Sequence, residues 1–286
     1  MNTGSAAGAE PAESGSASGE KGRDGAPLLR LQGIGKSFGS VQALSGVDLD
    51  IPAGQVTALV GDNGAGKSTL IKAISGISEP DTGTIFWKGQ PVRIESPKHA
   101  TALGVATVYQ DLALCDNLDI VQNLFLGREL LRHRLLDEAA MELRAKQALA
   151  DLSVVTVRSI RQLVGTLSGG QRQAVAVGKA VMEDAQLVIM DEPTAALGVT
   201  QTALVINLIK QLASQGVAVL VVSHNLNDVF AMADQVGVLY LGRVAGVAPA
   251  SELDLQEVLQ LITTGASTER DDAPGAEGGH AVDSET

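Results

Sequence analysis

Three short clusters hold the residues best suited to chemistry. The first, Gly61-Asp62-Asn63-Gly64-Ala65-Gly66-Lys67-Ser68-Thr69, fits the pattern G-x-x-x-x-G-K-[ST]. Its glycines let the backbone wrap closely around phosphate oxygens with successive N–H groups turned inward. A helix starting directly after the loop adds partial positive charge beneath them. In that frame Lys67 reaches the β- and γ-phosphates and the Ser68 hydroxyl ligates magnesium, so the chain is expected to bind a nucleoside triphosphate. In the second cluster, Asp191-Glu192, the acids follow the apolar run Leu187-Val188-Ile189-Met190. Ligands of open parallel sheets sit at the C-terminal edge of such strands. Asp191 is the expected magnesium-side carboxylate, acting through a bound water. Glu192, pointing to the other side of the chain, is the expected general base. The third is Leu167-Ser168-Gly169-Gly170-Gln171-Arg172-Gln173. Ser168 is a natural N-cap, and the two glycines should leave N–H groups uncovered at the positive end of a helix: a second anion site, without a lysine.

These clusters need a scaffold, and the hydrophobic pattern supplies one. Residues 28–34 and 47–51 alternate polar and apolar and read as an antiparallel opening pair. Residues 55–60 form a short apolar run entering the glycine-rich loop, and 67–77 read as a helix. Further apolar runs occupy 105–109, 187–190, 217–222 and 235–241. Runs apolar on both faces are what a buried parallel sheet requires. Between 111 and 165 the pattern turns helical, with Met141, Ala145, Ala148 and Leu152 on one face. The fold class expected is α/β: a mostly parallel sheet core with an antiparallel β subdomain and a helical insert.

Composition narrows the setting. Only 2% of residues are aromatic, so Ala, Val, Leu and Ile must fill the core. The net charge of -12 argues against a surface built to neutralise nucleic-acid phosphates. The single cysteine, Cys115, excludes an intrachain disulfide and a cysteine-based zinc site, and reads as a packing residue. No apolar run is long enough to span a bilayer, and no signal-peptide pattern opens the chain. Residues 1–27 and 265–286 are poor in large apolar side chains and are expected to be disordered, leaving 28–264 as one nucleotide-binding unit with a helical subdomain at about 111–165. Most of the acidity lies in those ends, and the body between them is nearly balanced.

Taken in order, the phosphate loop, the Leu167–Gln173 heptapeptide and Asp191-Glu192 resemble the ATP-binding cassette (ABC) ATPases across essentially all of 28–264. The resemblance implies further roles. Phe38, in Lys36-Ser37-Phe38-Gly39, matches the aromatic that stacks on adenine, where the family more often has tyrosine. Gln110 matches the glutamine that contacts magnesium and the lytic water and senses the transporter subunit. His224, after Leu220-Val221-Val222-Ser223, matches the histidine near the γ-phosphate. Two cassettes of the family pair head to tail, so Ser168 and Gly170 would act on ATP held by the opposite copy, in a homodimer. One departure is Gly198, where the family usually places an aspartate that contacts the other copy.

Within the family, the stretches Val108–Leu118, Phe125–Glu129, Asp191–Gly198 and Ser223-His224-Asn225 are similar to ATPase subunits of bacterial monosaccharide importers of the ribose, xylose and fructose group. That similarity implies membrane permease subunits as partners and, through them, an extracytoplasmic solute-binding protein. It also implies a peripheral position on the cytoplasmic face of the inner membrane, and a coupling helix docked around Gln110 and the helical insert. An ABC ATPase of DNA repair or translation would be expected to carry long coiled coils, zinc motifs or paired cassettes with basic linkers, none of which is present in this sequence. A non-hydrolysing scaffold cassette would be expected to have lost Glu192 or Lys67, and this chain keeps both.

Overall fold

The computed structural model describes residues 26–152, 159–182 and 184–266. The expectation of disorder concerns residues 1–25 and 267–286 almost entirely, and these lie outside the described residues. The chain opens with β1 (Leu29–Phe38) and β2 (Val41–Ile51), paired antiparallel with Leu29 opposite Ile51. Leu29 and Leu31 are buried while Arg30 and Gln32 face out, the period of two that a half-solvated sheet requires. On the outer face Arg30 and Asp50 sit opposite each other and pair through two contacts of 2.7 and 2.9 Å. Both strands run longer than the hydrophobic pattern indicated, because the shifts in register after Leu31 break the alternation.

The buried strand β3 (Val56–Val60) leads into α1 (Lys67–Ile74), which ends three residues short of the expected 77. Two strands absent from the sequence reading follow, β4 (Thr82–Trp87) and β5 (Gln90–Val92), completing a four-stranded antiparallel sheet in the order β2-β1-β4-β5. The chain then forms α2 (Pro97–Leu103) and β6 (Val105–Val108). Next come α3 (Ile120–Phe125), the short strands β7 (Leu131–Arg132) and β8 (Leu135–Leu136), α4 (Glu138–Asp151) and α5 (Gly169–Val181). The hairpin is a departure from an all-helical stretch. The last part comprises β9 (Leu187–Asp191), α6 (Val199–Ser214), β10 (Ala218–Val222), α7 (Leu226–Met232), β11 (Gln235–Tyr240), β12 (Arg243–Pro249) and α8 (Leu255–Thr264).

The second sheet has six strands in the order β12-β11-β3-β10-β9-β6, parallel except for the edge strand β12. Its central strands β3 and β10 are buried along their whole length, as a sheet covered on both faces demands. On one face Leu59, Ile189 and Leu220 join α1 and the antiparallel sheet through Leu70, Ile71, Leu29 and Leu44. On the other, Val188, Met190 and Val219 meet Val177 of α5 and Ile209 of α6. Ala58, Val60, Val236 and Val238 are covered by Val229 of α7 and by Val258 and Leu261 of α8. The architecture is α/β, a mostly parallel sheet with an antiparallel sheet and helices. Among the described residues no helix is long and apolar enough to cross a membrane.

The helices after β6 have their own small core, in which Ile120 and Leu124 of α3 meet Met141, Ala145 and Leu149 of α4 and Val175 of α5. Leu152, expected beside Met141 and Ala145, caps α4 and clusters with Val177 and Ala180 of α5 instead. At the entrance to this unit Asn123 is fully buried. It accepts the Cys115 N–H at 2.7 Å and donates to the carbonyls of Cys115, Leu118 and Asp119. Asn123→Ala strands the partly buried Cys115 N–H and leaves the three carbonyls with only their backbone partners, so it should destabilise the chain by about 1–3 kcal/mol in urea unfolding. Leu124→Ala should cost about 2–5 kcal/mol by leaving a cavity.

Candidate active site

Because β3, β10, β9 and β6 run parallel, their C-terminal ends share one edge of the sheet. That edge receives the phosphate loop after β3, Ser223-His224 after β10, Asp191-Glu192 at the end of β9 and Gln110 just beyond β6. Groups up to about 160 residues apart in the chain meet there for a purely topological reason.

The phosphate loop is wedged between β11 and β2. Gly61 has φ 156°, and a Cβ there would run into the Leu239 carbonyl of β11. Gly66 has φ 108°, and its Cβ would lie 2.7 Å from the Ala43 carbonyl of β2. Only glycine meets both demands. Gly66 also serves as the N-cap of α1 with no side-chain cap, so the open N–H groups of the first turn remain available to an anion. The Lys67 ammonium folds over the loop and donates to the carbonyls of Gly61 at 2.7 Å and Asp62 at 2.9 Å. Ser68 is exposed beside it.

Lys67, Asp62, Asp191 and Glu192 are electrostatic neighbours. Burial pushes the Lys67 ammonium below the usual lysine range even though three carboxylates pull it up. Burial, reinforced by Glu192, holds Asp191 above the usual carboxylate range despite Lys67. In both groups desolvation outweighs pairing. No described residue hydrogen-bonds the Asp191 carboxylate. Glu192 adopts φ 51°, a left-handed conformation that non-glycine residues avoid. Its N–H donates to the Val222 carbonyl at 2.8 Å, and its Oε1 lies 2.8 Å from Nδ1 of His224. The glutamate is largely enclosed while His224 is 71% exposed.

The remaining expected site residues lie on other segments. Phe38 is at the tip of the β1–β2 hairpin and 52% exposed, so it is not a core aromatic. The Lys36 ammonium lies 5.7 Å from its ring centroid, held by the Glu79 carbonyl at 2.6 Å and Asp81 at 2.7 Å. Gln110 is exposed. Ser168 does cap α5: its Oγ accepts the Gln171 N–H at 3.3 Å, and Gln171 accepts the Ser168 N–H at 2.9 Å. The glycine pair does more than leave N–H groups uncovered. A Cβ on Gly169 would come 2.6 Å from Leu197, and one on Gly170 would come 3.4 Å from Gln201 of α6. These glycines let the start of α5 approach α6. Lys36, Asp81 and the Leu239 and Ala43 carbonyls escaped the sequence reading, since their partners are distant in sequence and no local pattern marks them.

A carboxyl whose folded pKa is raised binds more protons in the folded than in the unfolded chain, so stability falls as pH climbs from the ordinary carboxylate range through the raised value. At pH 7 the charge of Asp191 therefore costs stability. Asp191→Asn should raise the melting temperature at pH 7 and remove part of the loss seen between acid and neutral pH. Gly169→Ala should act oppositely, costing about 1–3 kcal/mol in thermal unfolding as Leu197 is displaced.

A family model described as ABC transporter matches residues 44–195. A fructose import ATP-binding protein of Rhizobium meliloti is 43% identical over 83% of this chain and 94% of its own length. A xylose/arabinose import ATP-binding protein of Sulfolobus acidocaldarius is also 43% identical, over 83% of this chain and 94% of its own. A ribose import ATP-binding protein of Rubrobacter xylanophilus is 41% identical over 82% of this chain, which spans 47% of that relative. Among solved structures, an ATP-binding cassette of an ABC transporter in its ADP conformation is 25% identical. It superposes with a TM-score of 0.69 over 83% of this chain and 95% of that one. The motif order, the sheet edge that collects the motifs and these matches agree: the chain belongs to the ABC transporter family, as an ATP-binding cassette.

Proposed function

We propose that this protein is the ATP-hydrolysing subunit of an importer that takes up a monosaccharide through partner membrane permease subunits. The observation that carries the catalytic part is the meeting of Lys67, Asp191, Glu192 and His224 at one edge of the sheet. The monosaccharide rests on the fructose, xylose/arabinose and ribose import relatives. The DNA-repair and translation alternative finds no support among these relatives.

In this reading the backbone N–H groups of 61–66 and the open first turn of α1 bind the triphosphate, and Lys67 exchanges its loop carbonyls for phosphate oxygens. Phe38 stacks on adenine with Lys36 fixing the hairpin tip. Ser68, Asp191 and Gln110 fit magnesium, since each offers an oxygen and the Asp191 carboxylate has no competing partner among the described residues. When bound, the ion neutralises phosphate charge. Glu192 takes the proton of the attacking water, and His224 orients that carboxylate. Ser168, Gly169, Gly170 and Gln171 serve the ATP of a second copy across a head-to-tail homodimer, as the family resemblance implies. The cassette spans 28–264, with the helical subdomain near 111–165.

A cleft of about 220 Å³ opens beside the end of β6, lined by Tyr109, Asp111, Leu112, Ala176 and Lys179. It supports docking of a permease segment next to Gln110. The protein then works peripherally at the cytoplasmic face of the inner membrane, with a solute-binding protein on the far side.

Glu192→Gln should lower ATP turnover about 10²- to 10⁴-fold while nucleotide binding persists. Lys67→Ala should lose nucleotide binding itself. Normal hydrolysis by Glu192→Gln would overturn the assignment of the base. For the substrate, cells carrying only that variant should fail to accumulate one radiolabelled monosaccharide. Unimpaired uptake of all of them would sink the sugar reading without touching the ATPase.

A further inference from the structure

The β7–β8 hairpin takes no part in the site described above. Leu131 pairs with Leu136 and Arg132 with Leu135, joined by the two-residue turn His133-Arg134. Both turn residues are left-handed, at φ 52° and 68°. A turn with two positive φ values normally holds Asn-Gly, so this one carries strain that the simplest replacement would relieve. The strain keeps a basic tip between apolar flanks: Leu131, Leu135 and Leu136 are 66%, 73% and 55% exposed.

Neither Arg132 nor Arg134 forms an ion pair with a described residue. The acids around the hairpin have partners of their own, and Glu129 and Asp137 keep their charge while accepting backbone N–H groups. Glu129 accepts the Gly127 N–H at 3.0 Å, Asp137 accepts the Ala140 N–H at 3.1 Å, and Glu138 pairs with Arg161 at 2.8 Å. At the base of the hairpin a cleft of about 390 Å³, walled by Phe125, Leu130, Val181 and Met182, is also lined by the exposed Arg144 and by Asp151.

We propose that this hairpin is a membrane-surface contact that recognises anionic lipid headgroups. Guanidinium groups flanked by exposed leucines match the layering of a bilayer interface, where phosphates lie just above hydrocarbon. The tip is a two-residue turn, small enough to reach between headgroups. A chain of net charge -12 should be repelled by an anionic surface, so any attraction must come from a local patch such as this one.

Sedimentation of the full chain with vesicles tests this. The protein should bind mixed phosphatidylglycerol–phosphatidylcholine vesicles, leave pure phosphatidylcholine largely unbound, and dissociate at high salt. Replacing Arg132 and Arg134 together by glutamine should weaken partitioning roughly 30-fold, at about 1 kcal/mol per basic residue. Leu135→Ser with Leu136→Ser should weaken it as well. His133→Asn with Arg134→Gly should weaken binding while keeping or raising the melting temperature, which separates lipid contact from hairpin folding. ATP turnover in solution should stay unchanged in all three. The proposal fails if the native chain ignores anionic vesicles or if the glutamine variant binds as tightly. It also fails if the variant loses association only with vesicles that contain the permease, which would make the hairpin a protein contact.

Discussion

One hydrogen bond, from the Glu192 N–H to the Val222 carbonyl, extends the parallel ladder of β9 and β10 one step past Asp191. Much of the site follows from it. The bond holds Glu192 in a left-handed conformation that its side chain alone would not choose. It also sets the spacing between Glu192 and His224, which lies two residues beyond Val222, so that carboxylate and imidazole come within 2.8 Å. The register Val222 opposite Asp191 and Val222 opposite Leu59 then aligns the acids with the loop that begins at Gly61. The geometry of the candidate site is thus a property of strand register, fixed by the burial of β3, β9 and β10.

The same edge stores unfavourable electrostatics. Lys67 and Asp191 have opposite charges and sit close, yet burial shifts each toward its neutral form. A pair optimised for folding would have shifted the other way. Partial desolvation makes both groups respond strongly to an added charge, because fields act over a lower local dielectric there. The hairpin tip at His133-Arg134 is another place where a locally unfavourable conformation persists.

The sequence carried the site in a form that could be read directly. The phosphate loop, the cap at Ser168 and the acids after Leu187–Met190 are contiguous, and contiguous motifs survive without knowledge of the fold. The parallel strands were legible for the same reason, since Thr57 is the only polar residue in the fully buried runs of β3 and β10. The antiparallel sheet was read only in part. The strand β4 is mostly polar or glycine at its start, and β5 has three residues, one of them proline, so neither shows an alternating pattern. The glycines of the heptapeptide were read as anion-binding, whereas their tight fit against Leu197 and Gln201 depends on a helix that begins thirty residues later.

By itself, then, the order of residues determined which chemical groups were available, the strands that would be buried and the family. Those properties depend on neighbours within a few positions, through hydrogen bonding, side-chain period and helix capping. The tertiary structure alone decided that Glu192 faces His224, that Lys67 and Asp191 share a half-buried edge, and that Asn123 clamps the segment after Gln110. It also decided that three leucines and two arginines without an ion pair to any described residue stand exposed on one hairpin. Each of these depends on which surfaces are withdrawn from water when distant segments pack. That is a sum over the whole folded chain, and no window of sequence contains it.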